Sequence, residues 1–529
     1  MRITNPILPG FHPDPSICRV GGTYYVATST FEWFPGVEIN ASEDLQNWRL
    51  VSRPLDRASL LDMRGEPDSC GVWAPCLSYA DGLFWLVYTD VKRYNGNYKD
   101  THNYVTTAPS IEGPWSEPVY LNSSGFDASI FHDDDGRKWH VNMDWDYRGQ
   151  LPGRSFFGGI VLQEYDHDAR RLVGPIKRIF TRTKKDCTEG PHIFKRDGWY
   201  YLTLAEGGTG YNHVVTYARS RNIDGPYEVG DKSYLITAAD APDEPLQRTG
   251  HGQYIEAPDG TFWHTFLCSR PLPGTRRSPL GRETAIAQVE WTDDGWLTLD
   301  KARYDVATDG FADDDVVYAF GAKLHPDFQW LRTPEPERLF DTTAHEGHLR
   351  LIGRESIGSL YESALVARRQ TGWRYSAECA LDCDPRDYKT QAGLTAYYNS
   401  TQFHYLHVSR DDDGRRVLGI QSCAGAWPDG HVSLPLGEGY PIPDGPVELG
   451  VDVDLTVLQF RWRIAGGTWA PIGPKLDASA LSDEGGRGEH ACFTGAFVGM
   501  AAQDNSGTAW TADFSRFAYK NRKEERNDG

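Results

Sequence analysis

Five stretches decide the fold: Gly22-Thr23-Tyr24-Tyr25, Asp81-Gly82-Leu83-Phe84-Trp85, Asp135-Gly136-Arg137-Lys138-Trp139, Asp197-Gly198-Trp199-Tyr200-Tyr201 and Asp259-Gly260-Thr261-Phe262-Trp263. Each places a turn ahead of an aromatic-bearing run. Asp-Gly between apolar alternating segments marks a β-hairpin, because the tight turn needs positive φ, which glycine adopts without steric cost. The glycines Gly22, Gly82, Gly136, Gly198 and Gly260 recur at steps of 60, 54, 62 and 62 residues. A hairpin repeated at that period predicts the blades of a five-bladed β-propeller. Eight or nine residues before these glycines stand Asp14, Ala74, Asp127, Glu189 and His251. Equivalent positions in successive blades face the common axis, so three carboxylates and a histidine are expected to converge on one pocket.

The remainder of the chain fits a large globular enzyme. Its 529 residues exceed what one hydrophobic core organises, so at least two domains are expected. The 17 Trp, 27 Tyr and 22 Phe suit either the C–H faces of sugars or ordinary β packing. A net charge of −20 argues against nucleic acid and anionic membrane as partners. No apolar run approaches the length of a membrane span, and Met1-Arg2-Ile3-Thr4-Asn5-Pro6 lacks the apolar core of a signal peptide, so a cytoplasmic location is expected. Nine scattered cysteines, with Cys379 and Cys383 lacking a second ligand pair, read as free thiols in a reducing compartment.

Repeats fill residues 1–315, and the polar segment from Asp309 to Asp315 reads as a linker. From about residue 325 to 529 the runs 394–398, 403–408, 417–420, 447–453 and 458–462 alternate as antiparallel strands, with a hairpin at Asp411-Asp412-Asp413-Gly414. This pattern predicts a C-terminal β-sandwich of jelly-roll or lectin type. The fold class is therefore all-β, a propeller followed by a sandwich.

Hydrolysis of a glycosidic bond needs two carboxyl groups in different protonation states. One stays ionised to activate water or to attack carbon. The other holds a proton at working pH, which calls for burial or a nearby negative charge. Asp14, Asp127 and Glu189 supply both groups and that charge.

These residues lie in segments that match a family. The chain resembles glycoside hydrolase family 43, and within it the two-domain β-xylosidases. The resemblance is carried by residues 5–16 ending in His12-Pro13-Asp14-Pro15-Ser16, by Gly71-Val72-Trp73-Ala74-Pro75, Phe126-Asp127-Ala128-Ser129, Met143-Asp144-Trp145, Thr188-Glu189-Gly190-Pro191-His192, Leu280-Gly281-Arg282-Glu283-Thr284-Ala285 and Phe493-Thr494-Gly495-Ala496-Phe497. It implies inverting chemistry with Asp14 as general base, Glu189 as general acid and Asp127 as the carboxylate that raises the acid's pKa and orients it. It implies that Arg282 reaches substrate hydroxyls, that Phe31, Trp73 and Trp145 shape the sugar pocket, and that Phe493 of the sandwich closes its rim. For His251 the resemblance leaves open water orientation, a calcium ligand or a core histidine. No cofactor is required by this chemistry, and calcium near His251 is the one metal it raises.

The implied activity is an exo-acting β-1,4-xylosidase that releases xylose from the non-reducing end of xylo-oligosaccharides, in a homo-oligomer. An α-L-arabinofuranosidase acting on arabinose-bearing oligosaccharides, or an enzyme with both activities, is the alternative. A glycan-binding protein without hydrolytic activity would lack a carboxylate of the three. The segment 146–154 departs from the usual xylosidase loop, which bears on leaving-group preference.

Overall fold

The computed structural model describes residues 2–299, 304–307, 314–425, 430–488 and 491–522, with the backbone alone at 231–233. Residues 309–313 of the expected linker lie outside the described residues. Five four-stranded antiparallel blades are arranged in sequence order, their first strands being Ser16–Val20, Gly71–Ala80, Ser129–His132, Glu189–Arg196 and Gln247–Gly250; in the fifth, Tyr254–Glu256 is an extra strand paired with Phe262–Ser269. The repeated turns join the first and second strands of blades one to four, and in the fifth join Tyr254–Glu256 to Phe262–Ser269. Asp81-Gly82 and Asp197-Gly198 are two-residue turns with positive φ at both positions, the geometry that matches strand twist. In the first blade the positive φ falls on Gly21 and not on Gly22, while the third and fifth blades use five-residue loops with Gly136 and Gly260 in the left-handed conformation. These longer loops account for the ninth residue in the spacing of those blades.

The N-terminal segment is tied to the last blade before it enters the first. The Asn5 side chain exchanges two hydrogen bonds with the backbone of Ile286, at 2.8 and 2.9 Å, and Ile7 N donates to Thr284 O at 2.9 Å. Ile3–Asn5 also pairs in parallel with Tyr304–Val306. The ring is thus closed noncovalently, and the geometry around Asp14 depends on blade five.

The second domain is a sandwich of an eight-stranded and a six-stranded sheet, packed over a core that includes Leu394, Leu406, Leu449, Phe460, Met500 and Phe514. Asp315–Tyr318 is already one of its strands, and Asp314 pairs with Arg368. The other face of the six-stranded sheet merges with the propeller in a shared apolar cluster containing Phe11, Phe31, Trp33, Leu365, Tyr397 and Phe497. Trp33 stacks on Phe497 with centroids 3.7 Å apart. Buried charges cross the same boundary: Glu38 accepts from His12 and Arg53 and forms an ion pair with Arg369, each at 2.9 Å, and Arg248 meets Asp483 at 2.8 Å. At Gly281 the domains approach so closely that a Cβ would lie 2.3 Å from Thr494 O. Among the described residues no helix is long and apolar enough to cross a membrane. All nine cysteines are free thiols.

Candidate active site

The sequence repeat has a backbone counterpart. Asp14, Ala74, Asp127 and His251 have φ of 56°, 34°, 54° and 41°, and in blade four the positive value falls one residue later, on Gly190 at 58°. Non-glycine residues rarely occupy this left-handed region, and strained backbone of this kind gathers at functional sites. The same kink in every blade brings Asp14, Asp127, Glu189 and His251 to the wall of one cavity of about 400 Å³. Phe31, Trp73, Trp145, Arg282 and Phe493 line it too, so all nine residues singled out in the sequence meet there.

Asp14 is buried and each of its carboxylate oxygens accepts one hydrogen bond. Arg282 Nη1 donates to Oδ1 at 2.9 Å, and Ser29 Oγ donates to Oδ2 at 2.7 Å. Ser29 is itself set by the Ala74 N–H, which donates to its Oγ at 2.7 Å. Ala74, the one axial residue without a polar side chain, therefore acts on Asp14 through its backbone. Arg282 spends its remaining reach on Thr209 Oγ1 at 3.1 Å and on the carbonyl of Phe493 at 3.0 Å. His251 Nδ1 stands 3.9 Å from Asp14 Oδ1; burial lowers its pKa and keeps the ring neutral.

Glu189 and Asp127 carry the opposite electrostatics. Burial, then the charge of Asp14, pushes Glu189 up to about 8, against the opposing pull of Lys99 and Arg282. Burial, then Glu189 and Asp14, pushes Asp127 well above the carboxylate range. The two titrate as a pair that keeps a proton at neutral pH. Within the pair the Gly190 N–H donates to Asp127 Oδ2 at 3.0 Å, which opposes the upward shift of Asp127 and favours its ionised form. The pocket thus holds a carboxylate fixed by cationic and hydroxyl donors opposite a carboxyl that stays protonated, the pairing acid–base hydrolysis requires.

Residues 3–297 match the family described as Glycosyl hydrolases family 43, and residues 319–520 match the Beta xylosidase C-terminal Concanavalin A-like domain. The chain belongs to glycosyl hydrolase family 43. It is a glycosidase of that inverting family. Over 98% of both chains it is 55% identical to Xylosidase/arabinosidase 43B of Humicola insolens. It is 43% identical to the Beta-xylosidase of Bacillus subtilis (strain 168), over 98% of this chain and all of that one. The crystal structure of xylan beta-1,4-xylosidase from Bacillus Halodurans C-125 superposes with a TM-score of 0.93 at 46% identity, covering 98% of this chain and 100% of the other.

Several wall residues of this family 43 pocket escaped the sequence reading. Lys99 Nζ lies 4.5 Å from the ring centre of Trp145 and within 5.3 to 5.7 Å of those of Tyr94, Trp73 and Phe126. Burial lowers its pKa to about 8, although Glu189 and Asp127 favour its charge. Nothing local marks this lysine; it enters from blade two, and only the assembled ring of aromatics gives it a role. Phe126, Phe157, Cys187, Thr209 and His213 also line the cavity. Of these, Thr209 had a usable signal, because Gly207-Gly208-Thr209-Gly210 is a glycine cluster directly after a strand.

Calcium at His251 was raised by the resemblance, and the residues around it do not form a calcium cage. Calcium takes six to eight oxygen ligands. The carboxylate beside His251 is Asp14, which accepts from Arg282 and Ser29. Among the described residues no group of three or more His, Cys, Asp or Glu side chains is arranged to hold a metal.

Proposed function

We propose that this protein is an exo-acting β-1,4-xylosidase that removes single xylose units, with inversion, from the non-reducing end of xylo-oligosaccharides. The observation that carries the reading is the division of protonation in the pocket: Asp14 accepts from Arg282 and Ser29, while Glu189 holds a proton up to about 8. Asp14 takes a proton from a water that attacks C1, and Glu189 gives its proton to the departing glycosidic oxygen. Asp127, anchored by Gly190, keeps Glu189 protonated and oriented. Phe31, Trp73, Trp145 and Phe493 offer apolar faces to the sugar ring. Because Phe493 comes from the sandwich and hangs over the propeller pocket, the rim favours a chain end over a chain interior. The names of the relatives above support the pentose and the β-1,4 bond.

The Humicola insolens relative is named for both xylosidase and arabinosidase, which favours a second activity on terminal α-L-arabinofuranosides in the same pocket. Proton NMR of the reaction with xylobiose tests the main reading. Free xylose is expected to appear first as the α-anomer; initial β-anomer, or no release, would refute it. The corresponding rate on an aryl α-L-arabinofuranoside tests the second.

A further inference from the structure

Ser69 sits between the two domains, behind the cavity lining and bonded to two of its aromatic walls. It is 1% exposed. Three of its atoms are committed. Its N–H donates to Glu32 Oε2 at 3.1 Å, its carbonyl accepts from Trp73 Nε1 at 2.9 Å, and its Oγ accepts from the Phe493 N–H at 3.1 Å. One residue thereby fixes an aromatic wall contributed by the propeller and the aromatic rim contributed by the sandwich. The rings it links are in contact: Trp73 and Phe493 have centroids 5.6 Å apart, edge to face.

The turn that presents Ser69 is itself held across the boundary. Cys70 N donates to Pro67 O at 3.1 Å, closing turn 67–70. Asp68 in that turn accepts from Arg332 Nη2 at 2.8 Å and from the backbone N–H of Ser400 at 3.2 Å, both in the sandwich. Ser69 has φ of 62°, a position of this turn at which glycine is the favoured residue. A serine held in that conformation, with its hydroxyl aimed at a backbone amide of the other domain, is a strained choice that the local fold does not need.

We propose that Ser69 is a positioning residue for the rim of the pocket, setting Phe493 against Trp73 through the Ser69 hydroxyl. This rests on the reading of Phe493 as the rim of a pentose pocket. Its consequence is selective: loss of the hydroxyl loosens the rim and weakens the grip on the substrate, while Asp14, Asp127 and Glu189 keep their own contacts.

Two variants separate the hydroxyl from the backbone. Ser69→Ala removes Oγ and keeps the strain; Ser69→Gly removes Oγ and relieves it. Both are expected to raise KM for xylobiose about five- to tenfold with kcat within about twofold, although Ser69→Gly melts no lower than Ser69→Ala. Either change is expected to be non-additive with Phe493→Ala, because all of them act on one contact. Hydrogen exchange at the Phe493 amide, read without substrate, is expected to quicken at least tenfold in both variants, whatever sugar the enzyme prefers. A wild-type KM in Ser69→Gly would place the effect in the backbone and overturn the proposal. Full additivity with Phe493→Ala, or an unchanged Phe493 amide, would overturn it too. Inactivity of the wild-type protein on xylobiose with the amide effect intact would count against the pentose reading alone.

Discussion

Arg282 and Asp14, 268 residues apart in sequence, form a buried ion pair with Nη1 2.9 Å from Oδ1. The same guanidinium holds the Phe493 carbonyl at 3.0 Å, so one side chain joins the carboxylate of blade one to the sandwich rim. The catalytic floor and its cover are therefore set by a common group.

Arg282→Ala is expected to lower kcat/KM by about 10²–10³-fold, as loss of a preorganised donor does. Removal of one partner from a buried pair also costs about 3–5 kcal/mol of stability. Arg282→Lys is expected to rescue little, since one compact ammonium cannot span the positions from which Nη1 reaches Asp14 and Thr209 and Nη2 reaches Phe493. Steady-state kinetics and thermal melts of both variants are the check.

Asp14→Ala and Glu189→Ala are expected to differ in their response to the leaving group. An aryl xyloside with an acidic phenol needs little protonation, so Glu189→Ala recovers much of its activity there. Asp14→Ala, lacking the group that activates water, stays impaired on every substrate. Equal losses for both variants on xylobiose and on the aryl xyloside would contradict the roles.

The alkaline limb of the pH profile is expected to follow the Glu189–Asp127 pair. Glu189, raised to about 8 by burial and by Asp14, must be protonated to act, so activity falls as pH rises through that value. Asp127→Asn removes a neighbouring negative charge and moves the limb to lower pH. Lys99→Met removes the cation that pulls Glu189 down and moves it to higher pH. Opposite displacements in the two variants are the signature; a limb that stays in place in both would show that neither side chain tunes Glu189.

The propeller alone, cut before Asp314, is expected to be insoluble or inactive. Removing the sandwich uncovers Phe11, Phe31 and Trp33 and leaves the buried Glu38 without Arg369. A soluble fragment that cleaves xylobiose at the full-length rate would show that the rim is dispensable.

The sequence alone determined the blades and the axial residues. Asp-Gly turns at a steady period encode hairpins through local backbone preference, and the repeat then carries Asp14, Asp127, Glu189 and His251 to matching places without knowledge of any distant contact. Family motifs added Arg282 and the aromatics. The tertiary structure decided what no local signal holds. Ser29 and the backbone of Ala74 serve Asp14, Lys99 finds its ring of aromatics, and Ser69 meets Phe493 across 424 residues of chain. Charge states belong to the same class, because the shift of Glu189 arises from burial and Asp14 and that of Asp127 from burial, Glu189 and Asp14, surroundings that exist only once the ring has closed and the sandwich has covered it.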